Sequence, residues 1–338
     1  MKRSLTSLIA IIIVIAIASC KKNSSSNSGT TPTPIPTATA PILGTLAATV
    51  IHQNSADFTA SITSDGGSPI IQHGICWKST PQPTINDPRT MRGTGTGTFG
   101  GTASALTSNA MYYVRAYATN GVGTTYSNEV SFTTVESFVS DIEGNVYSVI
   151  EIGTLGKFWT KQNLKTTKYR NGESISTGLS SSQWISTTSG AYAIYNNTSL
   201  NNSTYGKLYN GYAAKDLRGI CPNGYHVATR DDMNYTVTQS GYLAPSGNPG
   251  GAMKATTLWN SPNTGATDLS GFSGLPAGIR SGSGSAVYFG IGDFGVFWSQ
   301  TQNVSGGAYN LTLMHNSTTA VVSTASLNDG YSCRCVRD

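Results

Sequence analysis

The stretch LTSNAMYYVRAYATNGVGTTYSNEVSFTT, residues 106–134, decides the fold of the first half of the chain. Within it, MYYVRAYAT and EVSFTTV alternate apolar and polar residues with the period of two that is typical of β-strands. Similar short segments precede it (TLAATVIH, ADFTASITS and HGICWKS), and turn clusters at 65–69, 86–88 and 120–123 separate the segments. Strands at this spacing, with no helical period, predict an all-β sandwich.

The same stretch resembles the last strands of a fibronectin type III domain. In that family a Leu precedes a Tyr by six residues, and the Tyr hydroxyl bonds to upstream backbone; Leu106 and Tyr112 occupy these positions. Other residues that fit the pattern are Arg115, Ala118, Asn120 and Gly121. The segment HGICWKSTPQPT, residues 73–84, is similar to a variant that is common in surface proteins of Bacteroidota.

This resemblance implies a fibronectin III-like β-sandwich over residues 42–135 that spaces and presents the C-terminal part of the chain. Trp77, on a central strand, is expected in the core, and Cys76 is expected to be a buried free thiol. The functional alternative is that Trp77 or His73 forms a site.

The N-terminus has the pattern of an export signal. Lys2 and Arg3 precede the apolar run LIAIIIVIAIA, residues 8–18, which is too short to span a bilayer as a helix. The sequence IASC that ends at Cys20 resembles the bacterial lipobox, with Ile17 in place of the usual Leu. The alternative is an ordinary secretory signal followed by a coincidental Cys.

We therefore expect a lipoprotein signal peptide at residues 1–19 and a lipid on Cys20 that attaches the chain to a membrane. Residues 20–41 are rich in Ser, Thr and Pro and contain nothing that could build a core. They are expected to form an extended tether between the lipid and the first domain.

Charge is sparse and unevenly placed. Only 11% of the 338 residues are charged, and four of the positive charges behind the net charge of +5 are Lys2, Arg3, Lys21 and Lys22. The rest of the chain is close to neutral. Binding to nucleic acid needs a clustered Lys/Arg face, so nucleic acid is not an expected partner.

The region at 138–338 contains six blocks in a fixed order. They lie within residues 141–172, 205–214 (YGKLYNGYAA), 220–233 (ICPNGYHVATRDDM), 271–280 (GFSGLPAGIR), 292–301 (GDFGVFWSQT) and 330–338 (GYSCRCVRD). In order and spacing they resemble the Fibrobacter succinogenes major paralogous domain. The chain departs from the family pattern at Gly211, Tyr225, Ala228 and Cys333, and it lacks the family's Gln near Leu155 and Lys157. These departures do not change the order of the blocks.

The same blocks resemble, more distantly, the C-type lectin-like and sulfatase-modifying-factor-like fold, which implies an α+β second domain. In that fold a helix begins near the central block, and here its start is at Thr229. With Asp232 three residues later, this is the pattern of a capping box. Asp231 and Asp232 are therefore expected to stabilise a helix N-terminus rather than to act in catalysis.

Four cysteines remain after lipidation of Cys20: Cys76, Cys221, Cys333 and Cys335. An exported chain can hold disulfides. Cys221 and Cys335 match the two Cys positions of the paralogous domain family, so the resemblance implies a disulfide between them.

The sequence offers little catalytic chemistry. The four His residues are far apart, and there is no zinc-binding or phosphate-loop motif and no G-x-S-x-G. Formylglycine-generating enzymes, on a related fold, hold copper with two cysteines, and only the C-R-C at 333–335 suggests that chemistry here. Its spacing and context differ, so we expect no enzyme, no cofactor and no metal.

Aromatic residues among Ser, Asn, Gly and Thr are the remaining candidates for a ligand site. The segments 180–205 and 281–296 form the predicted recognition surface, because aromatic faces beside amides and hydroxyls suit stacking on a glycan or contact with a protein. The alternative is ordinary loop packing. The candidate ligand-binding residues are Trp184, Tyr192, Tyr195, Tyr288 and Phe289.

Together these features predict a non-enzymatic lipoprotein of the outer membrane, exposed at the cell surface, that displays a recognition domain for a polysaccharide or a surface protein. One alternative is a copper or thiol enzyme of the formylglycine-generating kind. The other is a purely structural component of the envelope.

Overall fold

The computed structural model describes residues 37–244 and 247–338. The chain from Ala38 to Asp338 forms one compact unit. The expected signal peptide, Cys20 and the tether as far as residue 36 lie outside the described residues. Within the described ranges, no helix is long and apolar enough to cross a membrane.

Seven strands form the first part of the described chain, in two antiparallel sheets. In one sheet β3 pairs with β1, β2 and β5, and in the other the order is β4-β6-β7. Every second residue of β3 from Ala56 to Ile62 is buried, so one face of this strand packs into a core, as the period of two predicts. The strands are β1 (Ile42–Leu43), β2 (Ala47–Ile51), β3 (Ala56–Ser64), β4 (Gln72–Lys78), β5 (Gly97–Ala103), β6 (Met111–Thr119) and β7 (Thr124–Thr133).

The core of this β-sandwich is aromatic and aliphatic. The rings of Phe58 and Phe132 meet edge to face with 5.2 Å between their centroids, and Trp77 and the free thiol of Cys76 are buried. The hydroxyl of Tyr112 accepts a hydrogen bond from the backbone N–H of Thr107 at 3.1 Å. The sequence predicts the buried positions of Trp77 and Cys76, and the family resemblance implies the bond between the Tyr112 hydroxyl and upstream backbone.

Strands also dominate the second part of the described chain, and its helices are short apart from α4. The elements are β8 (Phe138–Ser140), β9 (Val146–Glu151), β10 (Phe158–Thr160), α1 (Ser181–Ser186), β11 (Tyr192–Ala193), a 3₁₀ helix (Tyr195–Asn197), α2 (Ser199–Tyr205), β12 (Leu208–Asn210), α3 (Gly211–Ala214), β13 (Tyr225–Val227), α4 (Arg230–Leu243), α5 (Pro249–Met253), β14 (Ala277–Arg280), β15 (Tyr288–Ile291), β16 (Phe294–Gln302), β17 (Ala308–Met314), β18 (Ala320–Ala325), β19 (Gly330–Tyr331) and β20 (Cys335–Arg337).

These strands form three antiparallel sheets. Their orders are β13-β20-β10-β9-β8, β11-β12-β19-β14-β15 and β16-β17-β18. The two largest apolar clusters of this part lie around Trp298 and Tyr209 and around Trp159 and Phe272. The C-terminal strands β19 and β20 belong to different sheets, so the end of the chain joins the two five-stranded sheets.

Arg334, between these two strands, is a charged side chain in the middle of the second domain. It is only 1% exposed. Its Nε donates to the side-chain oxygen of Asn163 at 2.9 Å, and its terminal nitrogens donate to the backbone oxygens of Phe272 and Ser273. The guanidinium also lies 4.3 Å from the centroid of the Phe272 ring. These contacts replace the water that the charge loses on burial.

Strand β20 is held by a neighbouring strand on each side and by a disulfide. Val336 is paired with Trp159 on one side and with His226 on the other. Cys335 forms a disulfide with Cys221, 114 residues earlier, which is the pairing implied by the family resemblance. Cys333 lies before the strand as a buried free thiol.

Lys254, just after α5, is a second fully buried charge. Its ammonium group donates to the backbone oxygens of Thr264 and Ser317 at 2.9 Å and of Met314 at 3.0 Å. The side chain therefore ties the loop after α5 to the turn after β17 without a carboxylate partner.

The sandwich and the second part of the chain contact each other directly. The side-chain nitrogen of Gln53 donates to the backbone oxygens of Glu136 at 3.1 Å and Val149 at 2.9 Å. Beside it, Nδ1 of His52 lies 2.7 Å from a carboxylate oxygen of Glu151. The residues after β2 thus pack on β9 and on the connection between β7 and β8.

Replacing Cys221 and Cys335 together by Ala should lower the free energy of unfolding by about 2–5 kcal/mol, because the disulfide restricts the unfolded chain. Urea denaturation measures the change. A reductant should destabilise the native chain by a similar amount and leave the double variant unchanged. An equal effect of the reductant on both proteins would contradict the prediction.

Candidate functional site

The two segments predicted as a recognition surface lie against each other. The ring centroids of Tyr195 and Tyr288 are 5.5 Å apart. The guanidinium of Arg280 on β14 lies 4.1 Å from the centroid of the Trp184 ring and 5.2 Å from that of Tyr288. The sequence therefore selected segments that meet in space, although Arg280, which joins them, was not singled out.

The exposure expected of these aromatic residues is wrong for three of the five. Trp184 is fully buried, Tyr192 is 9% exposed and Tyr195 is 7% exposed. Arg280 covers the Trp184 ring, so a glycan has no access to that face. Tyr288 is half-buried, and Phe289, at 44%, is the one exposed member of the set. The polar residues around these rings in the sequence suggested exposed positions, but tertiary contacts bury the rings.

The four cysteines of the described residues offer no neighbouring pair of thiols. Cys335 is bonded to Cys221, and Cys76 belongs to the sandwich. Burial raises the pKa of the Cys76 thiol to about 12 and raises that of Cys333 as well. Thiols held in the protonated form are poor nucleophiles and poor metal ligands. Across residues 37–244 and 247–338, no three His, Cys, Asp or Glu side chains gather in a metal-binding cluster.

Asp232 is the centre of an electrostatic cluster at the start of α4. Its carboxylate accepts from the backbone N–H of Thr229, and the Thr229 hydroxyl accepts in turn from the backbone N–H of Asp232, the capping box expected from the sequence. Lys157 lies 2.7 Å away, and Nε2 of His226 lies 3.0 Å away. The opposite ring nitrogen of His226 contacts Asp338 at 2.7 Å.

These contacts shift both pKa values in the direction that keeps the pair charged. The hydrogen bond to Asp232 and a second one to Asp338 raise the pKa of His226. Burial opposes the ionisation of Asp232, but hydrogen bonds from His226, Lys157 and Thr229 outweigh it and lower the pKa of that carboxyl. The cluster thus binds helix α4 to the C-terminus and to the segment before β10.

An open groove of about 410 Å³ lies beside Tyr212, between the loop after β16 and the segment after β18. None of its lining residues is charged, and a second hollow of about 420 Å³ also borders Tyr212. The sequence prediction missed this groove, although the turn sequence NVSGG at 303–307 marks one of its walls. The polar lining residues are Asn303, Ser305, Thr324, Ser326 and Asn328.

The local structure fixes Tyr212 at the edge of this groove. Asn210, fully buried, caps α3 by accepting from the backbone N–H of Ala213 at 3.0 Å. The N–H of Gly211 donates to the backbone oxygen of Leu327 at 2.7 Å. A Cβ at Gly211 would lie 2.7–2.9 Å from atoms of Leu327, so only glycine lets the groove wall approach the helix. The Gly found here in place of the family's usual Trp thus has a structural reason.

The second domain matches a known family over more than half of the chain. The Fibrobacter succinogenes major domain family matches residues 150–337. The chain therefore belongs to the Fibrobacter succinogenes major domain family. No curated protein matches the chain.

Several solved structures are similar to parts of the chain. The sensor domain of the anti-sigma factor RsgI4 from Pseudobacteroides cellulosolvens is 14% identical, covers 29% of this chain and 98% of its own, and has a TM-score of 0.22. The third fibronectin III domain of human KIAA0343 protein is 21% identical, with 34% and 94% coverage and a TM-score of 0.20. The twitchin kinase region from C. elegans is 10% identical, with 63% and 37% coverage and a TM-score of 0.22. Likenesses this weak carry no argument about function.

The contact between His226 and Asp232 should make the stability of the chain depend on pH in a defined direction. Because the pKa of His226 is raised, its contribution to the free energy of unfolding is complete below pH 6.5, the ordinary pKa of imidazole. This contribution is lost as the pH rises through the raised pKa. Because the pKa of Asp232 is lowered, its contribution to the free energy of unfolding is complete above pH 3.8. This contribution is lost as the pH falls through the lowered pKa.

The variant His226→Gln tests this expectation, because Gln keeps a hydrogen-bonding side chain and does not titrate. Urea denaturation at pH 5.5 and pH 8.5 should show a larger loss of stability from the substitution at the lower pH. Comparing the two proteins at each pH cancels the titration of His52 and of every other group that they share. An equal loss of stability at pH 5.5 and pH 8.5 would show that the charge of the imidazole does not stabilise the fold.

Proposed function

We propose that the chain is a non-enzymatic lipoprotein of the outer membrane that displays its second domain at the cell surface, where this domain recognises a polysaccharide or a protein. The lipid on Cys20 would hold the chain to the membrane, and residues 20–41 would separate the folded part from it. This arrangement is based on the N-terminal sequence pattern and on the two-part organisation of the described chain.

The disulfide between Cys221 and Cys335 is the observation that carries the proposal. Disulfides persist in exported proteins and are rare in reducing compartments, so the bond agrees with an export signal. It also takes up one of the two C-terminal cysteines that a copper or thiol enzyme would use. The other, Cys333, is enclosed and has a raised pKa. The disulfide therefore favours the recognition function over the enzyme alternative.

The proposal includes a fold for each domain. The first would be fibronectin III-like, supported by two packed sheets and by the contact between Tyr112 and Thr107. The second would be C-type lectin-like or sulfatase-modifying-factor-like, supported by the capped helix α4 and by a C-terminal strand inside a sheet. A folded sandwich that contacts the second domain suits the role of a spacer.

Intact cells that produce the full-length chain test the location. We expect the native chain in the membrane fraction and its degradation by protease added outside the cells, whereas Cys20→Ser should leave the chain in the soluble fraction. A periplasmic marker protein that stays intact is the control for leakage. A native chain that is soluble, or that survives the protease, would contradict the proposed location.

Binding of the full-length chain to purified polysaccharides and to proteins extracted from cell envelopes tests recognition. Saturable binding to at least one of them is expected, together with free Cys76 and Cys333 and a bridged Cys221–Cys335 pair in thiol mapping. Binding to neither class would favour the structural alternative. Reduced Cys221 and Cys335 in the native chain would reopen the enzyme alternative.

A further inference from the structure

We propose that the groove beside Tyr212 is the ligand site of the second domain and that it takes a neutral saccharide. The inference rests on the proposed recognition function and assigns to it a place and a class of ligand. It is carried by the chemistry of the groove walls and by the way the surrounding structure holds them.

The walls present hydrogen-bonding groups without charge. Hydroxyl and amide side chains line both walls, together with two glycines on one wall and Ala325 and Leu327 on the other, and no Lys, Arg, Asp or Glu lines the groove. No charged side chain in the lining would compensate a charged ligand for the water that it loses, whereas each sugar hydroxyl can both donate and accept. The volume of about 410 Å³ lies within the roughly 300–1,000 Å³ that is usual for ligand sites.

Asn303 offers a hydrogen-bond donor in a fixed position. Its side-chain oxygen accepts from the backbone N–H groups of Ser305 at 3.0 Å and Gly307 at 2.8 Å, which sets the plane of the amide. Its side-chain nitrogen has no partner among the described residues, so its two hydrogens remain free for a ligand.

Asn328, on the other wall, offers the complementary group. Its side-chain nitrogen donates to the backbone oxygens of Trp184 at 3.2 Å and Thr187 at 2.8 Å. Its side-chain oxygen accepts no hydrogen bond from the described part of the chain. The two walls therefore hold one free donor and one free acceptor, and their orientations are set before any ligand arrives, which lowers the entropy cost of binding.

Tyr212 adds an aromatic surface to these polar groups. The residue is half-buried, packs partly against the main core and borders two hollows, the second of which is also lined by charged residues. The ammonium group of Lys215 lies 5.7 Å from the centroid of the Tyr212 ring, outside the lining of the groove. Its hydroxyl has no hydrogen-bond partner within the described ranges. An aromatic ring beside fixed amides can pack against the C–H face of a sugar while the amides bind its hydroxyls.

A protein partner fits this groove less well. The central contacts of protein interfaces are rich in Trp, Tyr and Arg that fill apolar pockets. Here the lining beside Tyr212 consists of Gly, Ser, Thr and Asn with Ala325 and Leu327, and Leu327 is buried. Small polar groups around one ring suit a hydroxyl-rich ligand.

Titration of the full-length chain in detergent with dextran, mannan, xylan and galactan tests the proposal, and polygalacturonate serves as the acidic comparator. For the neutral polysaccharide that binds, Tyr212→Ala should weaken binding by about tenfold, whereas Tyr212→Phe should stay close to the native chain. Ser305→Arg, at an exposed position of the opposite wall, should also weaken binding by adding bulk and charge to the groove without removing core atoms. The matched control is Tyr242→Ala, since Tyr242 is 80% exposed on α4 and lines a different hollow.

Native-like binding by both Tyr212→Ala and Ser305→Arg would overturn the site and leave the proposed function standing. Binding of polygalacturonate alone would overturn the class of ligand. Binding of envelope proteins without any polysaccharide would overturn the saccharide site while keeping a recognition function. Thermal unfolding of each variant shows whether it folds, and Ser305→Arg decides the question if Tyr212→Ala does not.

Discussion

The burial of Arg334 is the constraint on which the second domain depends. A guanidinium group has five N–H donors and cannot lose its charge, so its removal from water requires acceptors on several sides. Asn163, Phe272 and Ser273 provide them, and Phe272 and Phe297 enclose the group with their rings. These partners come from separate parts of the domain. Loss of any of these acceptors would leave a buried donor unsatisfied, which favours the arrangement that brings them together.

The residues on either side of Arg334 extend this constraint through the domain. Tyr331 pairs with Tyr209 on β12, Cys333 accepts a hydrogen bond from Leu164 through its backbone oxygen, and Cys335 is bonded to Cys221. Because β12 leads directly into α3, the same C-terminal segment positions Tyr212. The groove beside Tyr212 is therefore supported by a buried segment of the domain, although it opens to solvent.

Three charged side chains of the second domain, Lys254, Arg280 and Asp232, serve as internal connections. Lys254 donates to backbone carbonyls of β17 and of two loops, Arg280 lies near two aromatic rings, and Asp232 joins Lys157 and His226 to the start of α4. Residues of this kind resemble catalytic groups in a sequence, because buried charges occur in both roles. Here their partners are backbone carbonyls, helix ends and aromatic faces, which hold structure together. The groove, in contrast, is built from uncharged side chains.

The sequence by itself determined the features that depend on local pattern or on family resemblance. Alternation of apolar residues predicted the strands of the sandwich, Thr229 and Asp232 marked the start of α4, and the family blocks pointed to the partners Cys221 and Cys335. Only the tertiary structure decided which aromatic residues are exposed, because Arg280 covers Trp184 from a strand almost one hundred residues away. The groove could not be predicted from the sequence for the same reason. Its two walls and Tyr212 come from three separate segments, and neither composition nor periodicity carries information about which distant loops meet.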